Sequence, residues 1–215
     1  MMDFNLASIE AADRYKLLNS VIIPRPIAWI TSVDEAGVVN AAPFSWFNLM
    51  GVNPPIVTVG PQYRHNFKEG LKDTPRNIRS GGAFVINIAN EELAEKMDRT
   101  SDFYPAGISE ADDQNLGLAP SAMIGVPRIA AAPASIECRE RTTMLIGNTW
   151  VIIADVLHLW IKDELIDPKR FHVDMDLMEV IGRGGAGRYI RTTDFFGIDD
   201  KNRTAGLLKA KNKGL

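Results

Sequence analysis

Residues 36–63 read AGVVNAAPFSWFNLMGVNPPIVTVGPQY, 28 residues without one charged side chain. That length is enough to cross a bilayer as a helix. Pro43, Pro54, Pro55 and Pro61 interrupt it, however, with Gly37, Gly51, Gly60 and three asparagines between them. An uncharged stretch broken this often reads as buried strands and turns. Just before it, Val21 to Val33 is strand-like and rich in isoleucine. Because two prolines cannot both sit inside a ladder, Pro24-Arg25-Pro26 means that this strand starts near Ile27 or carries a bulge on an edge. Asp34-Glu35-Ala36-Gly37 then makes a turn and Val38-Val39-Asn40-Ala41 begins the return, forming a β-hairpin. Ile56 to Val59, fenced by Asn53-Pro54-Pro55 and Gly60-Pro61, is a further strand.

Downstream, Asp73-Thr74-Pro75-Arg76-Asn77-Ile78-Arg79 opens a helix: Asp73 or Thr74 caps it, and Pro75 fits its first turn. Ser80-Gly81-Gly82 ends it. Ala83 to Ala89 is a strand, and Asn90 caps a second helix running to Met97. Residues 101 to 128 are loop-rich, with a short helical piece near Ser109 to Gln114. The remainder is mostly β: Ala134 to Thr143, Asn148 to Ile161, Glu179 to Ile181 and Tyr189 to Thr192. Trp150 to Ile161 is apolar on both alternating faces apart from Asp155 and His158, so its outer face needs a cover, by a helix or another subunit. Many short strands with single helices between them give a mainly β fold, an antiparallel barrel with appended helices. The strand–helix alternation of a doubly wound sheet is missing.

The 215 residues form a single domain over 1–200, followed by a basic arm at 201–215 that carries five basic residues and no acid. One cysteine, Cys138, excludes an internal disulfide framework and a multi-cysteine metal site. The net charge of −3 gives no general attraction to nucleic acid or an anionic membrane. The first residues lack the basic and apolar regions of a secretory signal, and the chain reads as cytoplasmic.

Several motifs offer chemistry. Gly182-Arg183-Gly184-Gly185-Ala186-Gly187 matches G-x-G-x-x-G, but strand-like Arg188 to Thr192 follows it, so it is a glycine turn and not a dinucleotide fingerprint. His172, Asp174 and Asp176 alternate on one strand face without a fourth ligand and read as a polar edge. His158 reads as a core histidine, and His65 lies in a loop. Two segments stand out. Ala42-Pro43-Phe44-Ser45-Trp46-Phe47-Asn48 interleaves aromatics with a hydroxyl and an amide, which suits a planar heterocycle that is apolar on its faces and polar at its rim. Lys72-Asp73-Thr74-Pro75 sets a lysine and a hydroxyl at a helix start, where free N–H groups favour a phosphate; Asp73 opposes this unless it points away. Together they describe a mononucleotide site.

The order of these pieces resembles the flavin reductase-like family with the FMN-binding split barrel, the branch that includes reductase components of two-component monooxygenases and flavoredoxin-like proteins. The stretches that carry the resemblance are Arg25 to Ser32, Val39 to Asn48, Asn53 to Val57, Lys72 to Ile78, Phe84 to Asn87 and Gly182 to Gly185. The resemblance implies a homodimer of six-stranded, Greek-key antiparallel barrels with FMN near the subunit interface. It implies that Ser45, Trp46, Phe47 and Asn48 hold the isoalloxazine and ribityl chain. Lys72 and Thr74 would then hold the phosphate with Thr31 and Ser32 nearby, and Arg183 and Gly184 would face the nicotinamide or electron acceptor. The implied activity is hydride transfer from NADH or NADPH to flavin, with a separate electron-acceptor protein downstream. The alternative is an FMN-holding electron carrier without nicotinamide activity. No side-chain acid or base is obligatory for such a transfer, because the flavin carries the chemistry.

Overall fold

The computed structural model describes residues 1–62, 71–105 and 107–197. His65 and the basic arm lie outside the described residues. The chain opens with helix α1 (Ala11–Val21), then strands β1 (Ala28–Val33), β2 (Val39–Phe44), β3 (Phe47–Val52) and β4 (Pro55–Val59). Helix α2 (Asp73–Gly81) leads to β5 (Ala83–Asn87), α3 (Ala94–Arg99) and α4 (Glu110–Asp113). Two short strands, β6 (Leu118–Ala119) and β7 (Arg128–Ile129), precede the long hairpin of β8 (Ala134–Ile146) and β9 (Thr149–Ile161). The described chain closes with β10 (Ile166–Asp167), β11 (His172–Val173), α5 (Met175–Met178), β12 (Ile181–Arg183) and β13 (Tyr189–Arg191).

The main sheet runs β2-β1-β5-β8-β9-β4-β3, and all its pairings are antiparallel. Its two outermost strands, β2 and β3, are separated in the chain by Ser45 and Trp46 alone, so the sheet returns on itself as a barrel. The sequence expectation of six strands becomes seven for the same reason: one strand is bent at Ser45–Trp46 and its halves pair with different neighbours, β1 and β4. The barrel is split there. β5 pairs with β1 and β8 and not with β4, which is the long return of a Greek key.

Alternation along β1 divides the core. Ala28 and Ile30 point to the barrel interior with Val57, Phe84, Ile86 and Ile152. Trp29 points outward and packs with Ala41, Leu93, Met97 and Ala111 beneath α3 and α4. Trp29 Nε1 donates to Thr100 Oγ1 at 3.0 Å, so even the buried indole is satisfied. The hairpin turn after β1 is held by Asp34, whose carboxylate accepts from the Ala36 and Val38 N–H groups, and Gly37 takes φ +85°. α2 leaves through Gly82 at φ +68°, the left-handed exit the sequence supplies. Asn90 Oδ1 accepts from the Leu93 N–H, but regular helix begins only at Ala94. The glycine-rich segment joins β12 to β13 as an antiparallel hairpin, with Ala186 and Gly187 in the left-handed region. Asp174 caps α5, accepting from the Asp176 and Leu177 N–H groups. Among the described residues no helix is long and apolar enough to cross a membrane.

Candidate functional site

Three hollows of about 690, 170 and 280 Å³ adjoin at the split, and Tyr15 and Ser45 line all three. The largest lies between α1 and the start of β3, with Trp46, Phe47 and Asn48 on one wall and Leu18 and Ile22 on the other. Its size falls in the range of small-molecule sites. The second joins Ser45 and Trp46 to Gly60 and Lys72. The third joins Ser45 to Asp98, Arg183 and Tyr189.

Helix α1 has no counterpart in the sequence reading, yet it roofs the largest hollow. Its polar residue Asn19 is 7% exposed, and Asn19 Oδ1 accepts from Trp46 Nε1 at 3.1 Å. The Tyr15 and Trp46 rings lie 6.1 Å apart and tilted. The aromatic at the bend is therefore held on both its rim and its face.

Beneath the bend sits Arg25, 6% exposed. Its Nη1 donates to the Asn19 and Ile22 carbonyls at the carboxyl end of α1, at 2.5 and 3.2 Å. Its Nη2 donates to the Gly184 carbonyl at 3.0 Å and its Nε to Ser45 Oγ at 3.3 Å. One planar fork thus ties the helix, the split and the glycine turn together, and the helix dipole favours a cation at that end. Burial lowers the Arg25 pKa from its ordinary value, and Arg183 pushes the same way against Tyr15. Sequence reasoning placed Arg25 within a family stretch and gave it no role; its position between two prolines was the available signal.

Lys72 is the residue immediately before α2 and lines the second hollow. Asp73, the acid that opposed an anion there, is paired with Arg76 one turn on. The Thr74 hydroxyl is 2% exposed as a residue and donates to Asn40 Oδ1 at 2.6 Å, so its one proton points into the protein. Thr31 and Ser32 are fully buried in β1. Thr31 Oγ1 donates to the Pro127 carbonyl at 2.7 Å, and Ser32 Oγ donates to Asn40 and accepts from Asn77. The structure thus brings Ser45, Trp46, Phe47, Asn48, Lys72 and Arg183 to the hollows. Thr31, Ser32 and Thr74 stand behind them as bonded core residues, and Gly184 offers its carbonyl to Arg25.

In the third hollow the Tyr189 hydroxyl donates to Asp98, and the Arg183 guanidinium lies 4.4 Å over the Tyr189 ring. Burial and the Asp98 carboxylate push the Tyr189 pKa up. Cys138 is fully buried; burial, then Glu137, push its thiol up, so it is a core residue and not a nucleophile. Glu110, 5% exposed, has its carboxyl raised by burial. Its own N–H, the Ala41 N–H and the Asn40 amide restrain the rise, and Asp73 adds to it.

The bent, returning sheet places the chain in the class of split-barrel folds: it is similar to a split barrel domain protein of Shewanella frigidimarina at a TM-score of 0.79 and 18% identity, over 93% of this chain and 100% of the other. The chain belongs to the flavin reductase-like family, whose model, a flavin reductase like domain, matches residues 20–174. A protein of Deinococcus radiodurans is 40% identical over 199 residues, covering 90% of this chain and 87% of that one. Among solved structures, 2-nitrobenzoate 2-nitroreductase of Pseudomonas fluorescens is similar at 32% identity and a TM-score of 0.84, over 93% of this chain and 96% of the other. Nitrilotriacetate monooxygenase component B of Bacillus cereus is similar at 29% identity and a TM-score of 0.86, over 92% and 98% of the two chains.

Proposed function

We propose that this protein is an NADH- or NADPH-dependent FMN oxidoreductase that passes electrons from its flavin to a separate acceptor. The observation that carries the reading is the meeting of three hollows at Ser45: one for a ring, one ending on Lys72, one ending on Arg183. In this reading Trp46, Phe47 and Asn48 hold the isoalloxazine, Ser45 its rim, and Lys72 with the amino end of α2 the phosphate. Arg183 and the Gly184 turn border the approach of the nicotinamide. Bound FMN supplies the hydride-accepting centre. The chain's own residues bind and orient: Arg25 fixes Ser45 against the Gly184 carbonyl, and Asn19 fixes the Trp46 indole. In the third hollow the Tyr189 proton is committed to Asp98. Positioning, and exclusion of water by α1, is therefore the catalytic contribution assigned to the protein.

Similarity to a nitroreductase and to a monooxygenase component B supports the reductase side of the reading, with the acceptor of reduced flavin either a small molecule or a second protein. The second copy of a homodimer completes the large hollow in this proposal, because Met50 and Asn148 line it from the apolar, exposed side of the sheet. The test is anaerobic titration of purified protein plus FMN with NADH and with NADPH, followed by the loss of flavin absorbance. Bleaching by at least one donor is expected. A spectrum unchanged by either overturns the enzyme reading, and flavin retained through gel filtration under that outcome would identify an electron carrier.

A further inference from the structure

Five polar residues from four elements meet in the interior between the sheet and two helices, and none is more than 6% exposed: Ser32, Asn40, Thr74, Asn77 and Glu110. Asn40 Nδ2 donates to both carboxylate oxygens of Glu110 at 2.7 Å, and the Ala41 N–H donates to one of them at 3.2 Å. Asn40 Oδ1 accepts from Thr74 Oγ1 at 2.6 Å and from Ser32 Oγ at 3.4 Å. Ser32 Oγ in turn accepts from Asn77 Nδ2 at 3.2 Å. Ser109, which caps α4, donates its hydroxyl to the Val39 carbonyl at 2.7 Å, so α4 is pinned to the same stretch of β2.

The direction of these bonds follows from Glu110. Its two oxygens meet donors only, so Asn40 faces it with its amino group and leaves its single oxygen for α2. Thr74, with one hydroxyl proton, gives that proton to the oxygen. Polar burial on this scale is not needed for stability, because apolar residues of similar volume hold a helix against a sheet at least as well. What the polar joint adds is one fixed seat for α2 on β2.

That seat matters because of what flanks it. Within β2 the chain continues from Asn40 to Phe44 and delivers Ser45; α2 begins directly after Lys72. Lys72 and Ser45 line the same hollow. The joint between Asn40 and Thr74 is thus the hinge pin of the socket formed by the two elements.

We infer that Glu110 is a positioning residue for the phosphate end of the site: acting through Asn40 and Thr74, it sets the amino end of α2 relative to Ser45. This rests on the flavin reading above. A glutamine in its place would offer an amino group as readily as an oxygen, which lets the Asn40 amide reverse and lets α2 lose its fixed seat.

The test measures FMN and riboflavin affinity of the full-length protein by flavin fluorescence quenching, in wild type, Glu110→Gln, Thr74→Val and the double variant. Riboflavin reports on the ring site, and the difference between the two ligands reports on the phosphate end. Glu110→Gln should weaken FMN about tenfold and leave riboflavin within about twofold, and the double variant should lose no more FMN affinity than the worse single variant. Equal weakening of both flavins, or an unchanged FMN-to-riboflavin ratio, overturns the inference, since a residue that merely supports the fold would not separate the two ligands. If Glu110→Gln does not fold, the ratio in Thr74→Val decides, with the same two outcomes. A wild type that binds neither flavin removes the flavin reading and this inference with it, whereas a wild type that favours FMN beside a variant that still does so removes the inference alone.

Discussion

Glu137 is a fully buried carboxylate in β8 that shows how single residues hold the scaffold away from the site. It accepts from the Ala122 and Met123 N–H groups at 2.7 Å each and from Trp160 Nε1 at 2.6 Å. Arg128 lies 4.3 Å over that same Trp160 ring. Burial pushes the Glu137 carboxyl up, but the Ala122, Trp160 and Met123 donors, with His158 beside them, outweigh it and hold the pKa below the ordinary 4.5. A depressed folded-state value means that the ionised group stabilises the fold above its unfolded pKa, and that this contribution is lost as pH falls through the folded value. Glu137→Gln turns an amino group toward one of three donors, so it should cost about 1–3 kcal/mol at neutral pH. The variant lacks the titration, so the gap in melting temperature between it and wild type should close as the buffer is taken from neutral pH to below 4.5. A gap that stays constant over that range would show that the carboxylate charge is not what the loop at 120–126 is bound to.

At the scale of elements, the split and the glycine turn are joined by a close approach of backbones. Arg25 and Arg183 exchange N–H···O bonds at 3.0 and 2.8 Å, which lays β12 against the entry to β1. A Cβ at Gly182 would stand 2.7 Å from Pro24 Cβ, part of a rigid ring that cannot swing aside. Gly182→Ala should therefore displace β12, destabilise the protein by about 1–3 kcal/mol and weaken flavin binding, because Gly184 and Arg183 ride on that strand. Gly185, whose added Cβ would meet the Ser20 side chain at 3.2 Å, tests the contrast, since that hydroxyl can give way. Equal losses in both alanine variants, read from thermal melts and flavin titration, would refute the backbone-contact explanation. The same pair of elements marks what was legible in the sequence. Pro24 and Pro26 announced that no regular strand precedes Ile27, and Gly182 to Gly187 announced a tight turn; both are local signals of backbone chemistry. Strands β1, β2, β4, β5, β8, β9 and β13 and helix α2 were legible for the same reason, through turns, caps and apolar runs, whereas β3 lies in the aromatic segment and carries no such boundary of its own. Helix α1 was not, since it is a mostly exposed helix with a single buried residue, Asn19, and gives little apolar periodicity to read. Nor were the fates of the Thr31, Ser32 and Thr74 hydroxyls. A hydroxyl reads the same in sequence whether it meets a ligand or an asparagine from another strand, and the Asn40–Thr74 contact spans 34 positions.

At the scale of the whole molecule, the described residues leave apolar side chains in water along part of the main sheet. Trp150 to Ile161, apolar on both faces, called for a cover on its outer side, and the described residues supply it only in part: Leu159 is 53% exposed. On the same side of the sheet order, β3 exposes Leu49, Met50 and Val52, and the β8–β9 tip exposes Met144, Leu145 and Ile146. β3 also meets the large hollow through Met50, and the tip meets it through Asn148. In the proposed homodimer these exposed groups of β3 and the hairpin tip meet those of the second copy. Stable interfaces remove about 1,600 Å² from water in total, which long side chains from two strands and a hairpin on each copy can supply. The proposed homodimer therefore makes two linked predictions. Sedimentation of the wild-type protein at micromolar concentration should give a mass twice that of one chain, and Val52→Glu together with Leu145→Glu should reduce it to one, because each buried glutamate would lose its water without gaining a partner. The double variant should also bind FMN more weakly while keeping its melting transition, since the hollow would lose its far wall but the barrel would not lose its core. A wild type that sediments as a single chain, or a monomeric variant with undiminished FMN affinity, would mean that one barrel builds the whole site from its own α1, β3 and hairpin tip.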